Sequence, residues 1–111
     1  KPNCVSSEFV SDAEHYIEPL VYSVDQAAQV LPRVKTIIGE MGGSVQLEKA
    51  DYLAATFTSS LFRFVDDLEL RIDTVQKTIH LRSASRVGHS DLGVNRKRVE
   101  RLKNAFHSKP D

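Results

Sequence analysis

The chain has a single cysteine, Cys4, in 111 residues, so no internal disulfide can staple it. Cysteine usage therefore carries no information about redox compartment. There is no surplus of either charge: Lys plus Arg and Asp plus Glu number 15 each, for a formal net charge of +0. A general binder of nucleic acid or of anionic membrane carries excess positive charge, so this balance argues against both and leaves room only for a local basic patch. No run of about 18 apolar residues occurs, so no segment reads as a membrane-spanning helix. Internal repeats and low-complexity tracts are missing. So are a nucleophile elbow of the G-x-S-x-G type, a phosphate-loop pattern and any known metal-ligand spacing. No metal and no cofactor is expected. The chain starts at Lys1 without a hydrophobic leader. That start fits a trimmed or processed chain and is no argument for a cytosolic home.

What is present suits one soluble domain spanning residues 1–111. The apolar share is 41% and the charged share 27%, both ordinary for a globular protein. A chain of this length buries roughly two-thirds of its unfolded surface, enough for one modest core.

Residues 1–22 show no clean period, and Pro2 and Pro19 disfavour regular structure beside them. They predict an extended arm held by Phe9, Tyr16, Ile17 and Leu20, with His15 as a packing or hydrogen-bonding residue. Ser23 to Gln26 is a capping box. Ala27, Val30 or Leu31, Val34, Ile37 or Ile38 and Met41 follow at helical spacing, predicting a helical segment over 23–41 that Gly42 and Gly43 stop. Pro32 should bend this helix or split it in two near Leu31.

From Ser44 the period becomes two. Val45 and Leu47 alternate with polar neighbours, a turn falls at 48–51, and Leu53, Ala55 and Phe57 face one way. Ser59-Ser60 connects to a strand from about Leu61 to Asp73. Another runs from Val75 to Ala84 with Val75, Ile79 and Leu81 inward. Short connections imply antiparallel pairing across 44–84. After a loop at 85–93, Val99, Leu102 and Phe106 restore the helical period over 94–106. The expected product is a two-layer α+β domain: an antiparallel four-stranded sheet with helices packed on one face, in the order arm, α, β, β, β, β, α.

Two places break the pattern. In the strand ending at Asp73, the even positions Phe62, Phe64, Asp66, Leu68, Leu70 and Ile72 form an apolar face interrupted only by Asp66. A carboxylate on a buried face is costly unless paired and hydrogen-bonded. Either Asp66 has a cationic or donor partner, or a bulge at Val65–Asp67 turns it outward. The partner could make a structural ion pair or a carboxylate with a shifted pKa in a polar pocket.

The second place is Arg82–Arg101, with five arginines, three serines, His89, Asp91 and Asn95. Arg96, Lys97 and Arg98 fall in the expected first turn of the last helix, behind Asn95 as a good N-cap. Cations are unfavourable at that end of a helix, so a negative group should compensate them. Asp91, Asp66 or Asp67 could do so from within, or a bound anion from outside. Arginine's planar fork suits either.

Three stretches resemble a known family: P-N-C-V-S-S at Pro2–Ser7, F-V-D-D-L-E at Phe64–Glu69, and R-S-A-S-R-V-G-H-S-D-L-G-V-N-R-K-R-V-E at Arg82–Glu100. They are similar to a bacterial and plastid family known only as domain of unknown function number fourteen ninety-nine, over nearly the whole chain. The resemblance implies no activity and no catalytic residues. Its members often follow a hydrophobic, lipid-anchor or plastid-transit segment, which implies an exported, membrane-tethered or plastid location.

The functional expectation is a non-enzymatic binding or accessory domain. Its candidate ligand-binding residues are Asp66, Asp67, Arg82, Ser83, Ser85, Arg86, His89, Asp91, Asn95, Arg96 and Arg98. Its partner would be a small anion, a carboxylate ligand or an acidic protein surface, with no nucleic acid. The alternative is a hydrolase using Asp66 or His89 as general base, with arginines stabilising an oxyanion.

Overall fold

A computed structural model describes residues 4–8, 15–61, 63–86 and 92–108. It is α+β, with an antiparallel sheet and two helices, as the sequence pattern predicts. The chain runs β1 (Cys4–Ser6), β2 (Leu20–Val21), a 3-10 segment (Val24–Gln29), α1 (Val30–Glu40), β3 (Ser44–Lys49), β4 (Tyr52–Thr58), β5 (Val65–Asp73), β6 (Thr78–Ser85) and α2 (Leu92–Ser108). The sheet order is β1-β6-β5-β4-β3, with β2 also on β6. The sheet thus exceeds the four expected strands because the arm supplies two short ones. Leu20 pairs with Ile79 and Val5 with Ser83, so β1 and β2 line the same edge of β6. Strands of two and three residues are too short to show a period of two, which is why the arm carried no signal.

The break near Pro32 has a simple form. The 3-10 segment ends at Gln29 and α1 begins at Val30, which leaves Pro32 in the first helical turn. Backbone N–H groups there have no partner within the helix, so proline costs little. The Gln26 side chain reaches back to accept the Ser23 N–H at 2.9 Å. Val34, Ile37 and Ile38 of α1 are buried. The end of α1 is a Schellman turn: Gly42 N–H donates to Gly39 O and Gly43 N–H to Ile38 O, with Gly42 at φ +92°. Gly43 is needed for a second reason. A Cβ there would lie 2.7 Å from the Phe57 ring, so the ring owes its position to the missing side chain.

One strand register and two strand limits differ from the sequence pattern. The register of β3 shifts between Val45 and Leu47, a bulge that pairs Val45 with Ala55 but Leu47 with Ala54. The two residues therefore face opposite sides, and Glu48 turns towards α1, where it pairs with Lys35 at 3.0 Å. The strand expected from Leu61 begins only at Val65. Ser59 holds the connection by accepting the Phe64 N–H on its hydroxyl and donating its own N–H to Phe64 O, which leaves Phe64 exposed. Phe62 lies outside the described residues. Val75 is not inward but 86% exposed, because the Asp73 carboxylate accepts the Val75 and Gln76 N–H groups and turns the chain there.

One face of the sheet carries Leu53, Ala55, Phe57, Leu68, Leu70, Ile79 and Leu81, and both helices cover it. The helices meet through Arg33 of α1, whose guanidinium sits 5.0 Å over the Phe106 ring and donates to the Phe106 carbonyl. Val99, Leu102 and Phe106 of α2 are fully buried.

Candidate functional site

Strand alternation divides the residues of the Arg82–Arg101 stretch and their acidic counterparts between two faces. Asp66, Ser83 and Ser85 point under α2, while Asp67, Arg82 and Arg86 point to the open face. Cross-strand pairing joins Asp66 to Ser85 and to Phe57, with continuous register and no bulge at Val65–Asp67. Asp66 therefore stays inward, and its partner is Arg98 of α2, at 2.9 Å.

Around that pair lies a buried polar network. Arg98 Nη2 meets Asp66 Oδ2, while Nη1 donates to Asn95 Oδ1 at 3.0 Å and approaches Ser83 Oγ at 3.3 Å. Ser83 Oγ donates to Asn95 Oδ1 at 2.7 Å, and Asn95 Nδ2 donates to Ser85 Oγ at 2.9 Å. The guanidinium carbon sits over the Phe57 ring, 4.7 Å from its centroid, a cation–π contact made beside the hydrogen bonds of the same group. Asn95 and Ser83 have no exposed surface, and Asp66 only 7%.

This placement corrects the role of Asn95. The helix starts at Leu92, so Asn95 is inside it and not its N-cap. Arg96, Lys97 and Arg98 consequently lie beyond the first turn, and the negative group facing Arg98 is Asp66. Arg96 is half-buried on α2. His89 and Asp91 lie outside the described residues.

The open face holds a separate set of ion pairs. Arg86 grips Asp67 with two hydrogen bonds of 2.8 and 2.9 Å. Arg82 lies 3.7 Å from Glu69. Burial, reinforced by Glu69, pushes the Tyr52 hydroxyl above its ordinary range, so it stays neutral. Arg71 grips Glu8 through Nε and Nη2, the latter at 2.6 Å, tying the arm to the sheet.

The Arg71 hydrogen bond holds the Glu8 carboxyl below its usual value of 4.5, outweighing the opposing effect of burial. A depressed folded pKa gives stability that is present above the unfolded pKa and lost as pH falls through the folded one. The pair is exposed, so the effect is at most about 1 kcal/mol. Denaturant melts taken downward from neutral pH should show this loss beginning near pH 4.5. Glu8→Gln should remove that part of the slope, and an identical slope in the variant would assign the acid loss elsewhere.

Two hollows adjoin the buried network on its solvent side. One, of about 300 Å³, is lined by Met41, Phe57, Val94, Lys97, Arg98 and Arg101. The other, of about 460 Å³, shares Met41, Phe57, Val94 and Arg98 and adds Phe64, Asp66, Gly42 and the hydroxyls of Thr58, Ser59 and Ser60. Lys97 and Arg101 are exposed, and among the described residues neither has an ion-pair partner. Neither is among the candidate ligand-binding residues expected from sequence, although Lys97 stands in the basic run Arg96–Arg98. A signal existed: Val94, Lys97, Arg98 and Arg101 are spaced by three and four, which places them on one helix face. Nothing in sequence says that Phe57 and Met41 would meet that face.

Among the described residues no group of three or more His, Cys, Asp or Glu could hold a metal, and no helix is long and apolar enough to cross a membrane. The fold and the network define a small two-layer α+β domain whose second helix is locked to the sheet by a buried ion pair. A family model described as a protein of unknown function, DUF1499, matches residues 1–106, and the chain belongs to that family. No curated protein matches the chain.

Proposed function

We propose that this is a non-enzymatic binding or accessory domain whose ligand is a small anion held by Lys97 and Arg101. One observation carries the reading: two exposed cations without an internal partner among the described residues line one hollow with Met41, Phe57, Val94 and Arg98. The neighbouring arginines for which a carboxylate is at hand, Arg82, Arg86 and Arg98, face Glu69, Asp67 and Asp66. Lys97 and Arg101 lie one turn apart, a spacing that lets an ammonium and a guanidinium fork converge on one carboxylate. The Asp66 form of the hydrolase alternative draws no comparable support, and His89 lies outside the described residues. An Asp66 base would have to release Arg98, and that would leave a cation unpaired beneath the helix.

Thermal-shift titration with acetate, inorganic phosphate and sulfate at low ionic strength tests the reading. A saturable rise in Tm with at least one of them is expected, and the Lys97→Glu/Arg101→Glu variant should abolish it. Both residues are exposed, so the variant should fold. No stabilisation by any of the three anions would sink the anion site.

A further inference from the structure

The two hollows share four lining residues, so they are two reaches of one trough with different chemistry at each end. The cationic end carries Lys97 and Arg101. Phe57, Met41 and Val94 line both reaches, and the other end adds Phe64 beside Gly42, Asp66 and three hydroxyl residues. Val94 is 44% and Phe64 40% exposed. The ionised groups of this reach, Asp66 and Arg98, neutralise each other at 2.9 Å, so it offers an alkyl chain no uncompensated charge. Three hydroxyl residues, Thr58, Ser59 and Ser60, complete the wall. The volume is about 460 Å³, and the hollow is open to solvent along its length.

From two cations set beside Phe57, Met41, Val94 and Phe64 we infer that the ligand is an amphiphilic monocarboxylate. Its head sits between Lys97 and Arg101, and its alkyl chain lies along Phe57 between Val94, Met41 and Phe64. The inference rests on the anion reading above and adds the apolar half of the ligand. It selects a monomeric ligand over a membrane surface because the apolar groups line a recess beside the cations and the chain as a whole has no positive surplus. A single carboxylate also matches the donor set, one ammonium and one planar fork.

The fold constructs this trough at two points. Gly43 admits the Phe57 ring, which a Cβ at that position would displace. The Asp66–Arg98–Asn95 network then fixes the helix that carries Val94, Lys97 and Arg101. The trough and the buried network are joined at the Arg98–Phe57 contact.

Calorimetric titration of the intact chain with acetate, hexanoate, decanoate and decanol tests the inference, beside flotation with vesicles of mixed neutral and anionic phospholipid. Affinity should rise roughly tenfold or more from acetate to decanoate, since each methylene that leaves water adds to binding. Val94→Gln should lower decanoate affinity about tenfold, and Lys97→Glu/Arg101→Glu should remove it. Acetate and decanoate binding equally would overturn the amphiphile and leave the anion reading standing. Decanol binding as well as decanoate, with no effect of charge reversal, would overturn both. Binding to anionic vesicles without binding to monomeric decanoate would overturn the recess as the site.

Discussion

Asp66→Ala should lower the melting temperature by roughly 10–20 °C, the largest loss expected from any single polar substitution in this chain. The carboxylate is 7% exposed and its partner Arg98 lies 2.9 Å away under α2. Truncating one member of such a pair strands the other as an uncompensated buried charge, at a cost of about 3–5 kcal/mol. The pair itself is worth far less than that, because desolvating two ions offsets most of their attraction. The double variant Asp66→Ala/Arg98→Met should therefore melt above Asp66→Ala alone, although it changes more atoms. Asp66→Asn should fall between, since it keeps an acceptor for Arg98 without the charge. Circular-dichroism melts of the four proteins check the order. An Asp66→Ala variant that melts like the wild type would remove the buried pair from the account of stability. A melt unchanged together with lost anion binding would make Asp66 a ligand residue instead.

Asp66 was legible in sequence because a period of two makes one wrong residue conspicuous. A carboxylate between Phe64 and Leu68 had to be turned out or paired, and Arg82–Arg101 was the evident source of a cation. Which arginine, and which serines, could not be read off. Along β6, Arg82 and Ser83 are neighbours in sequence yet lie on opposite faces, and the sequence does not say which face a second helix covers. The stretch consequently looked like one site, where the structure separates a buried network from a row of surface ion pairs. The layer order and the helix stop at Gly42-Gly43 were legible for local reasons: hydrophobic period and glycine chemistry act within a few residues. The bulge between Val45 and Leu47 was not, because it depends on pairing with β4 and on Lys35 waiting for Glu48. The exposed place of Val75 was hidden for a different reason. A β-branched residue continues a strand pattern unless the Asp73 side chain is recognised as the turn former.

Asn95→Ala should cost about 2–4 kcal/mol, second only to Asp66→Ala among the polar positions, even though alanine is the better helix former. Its amide has no exposed surface and, among the described residues, joins Ser83 Oγ and Arg98 Nη1 at the oxygen and Ser85 Oγ at the nitrogen. Removing it deprives three buried groups of a partner at once, whereas Ser83→Ala removes its own hydroxyl along with the need to satisfy it. Ser83→Ala should accordingly cost clearly less than Asn95→Ala, and the double variant should cost less than the sum of the two. Were Asn95 a helix cap, the ranking would differ: loss of a cap costs only about 1 kcal/mol and would not couple to Ser83. Chemical denaturation of the two single variants and the double separates these cases. A coupling near zero between Asn95 and Ser83 would mean the amide holds the helix by itself. A coupling of about 1 kcal/mol or more would mean that the sheet and α2 are joined by the network as a unit, with the Lys97–Arg101 face positioned by hydrogen bonds on its buried side.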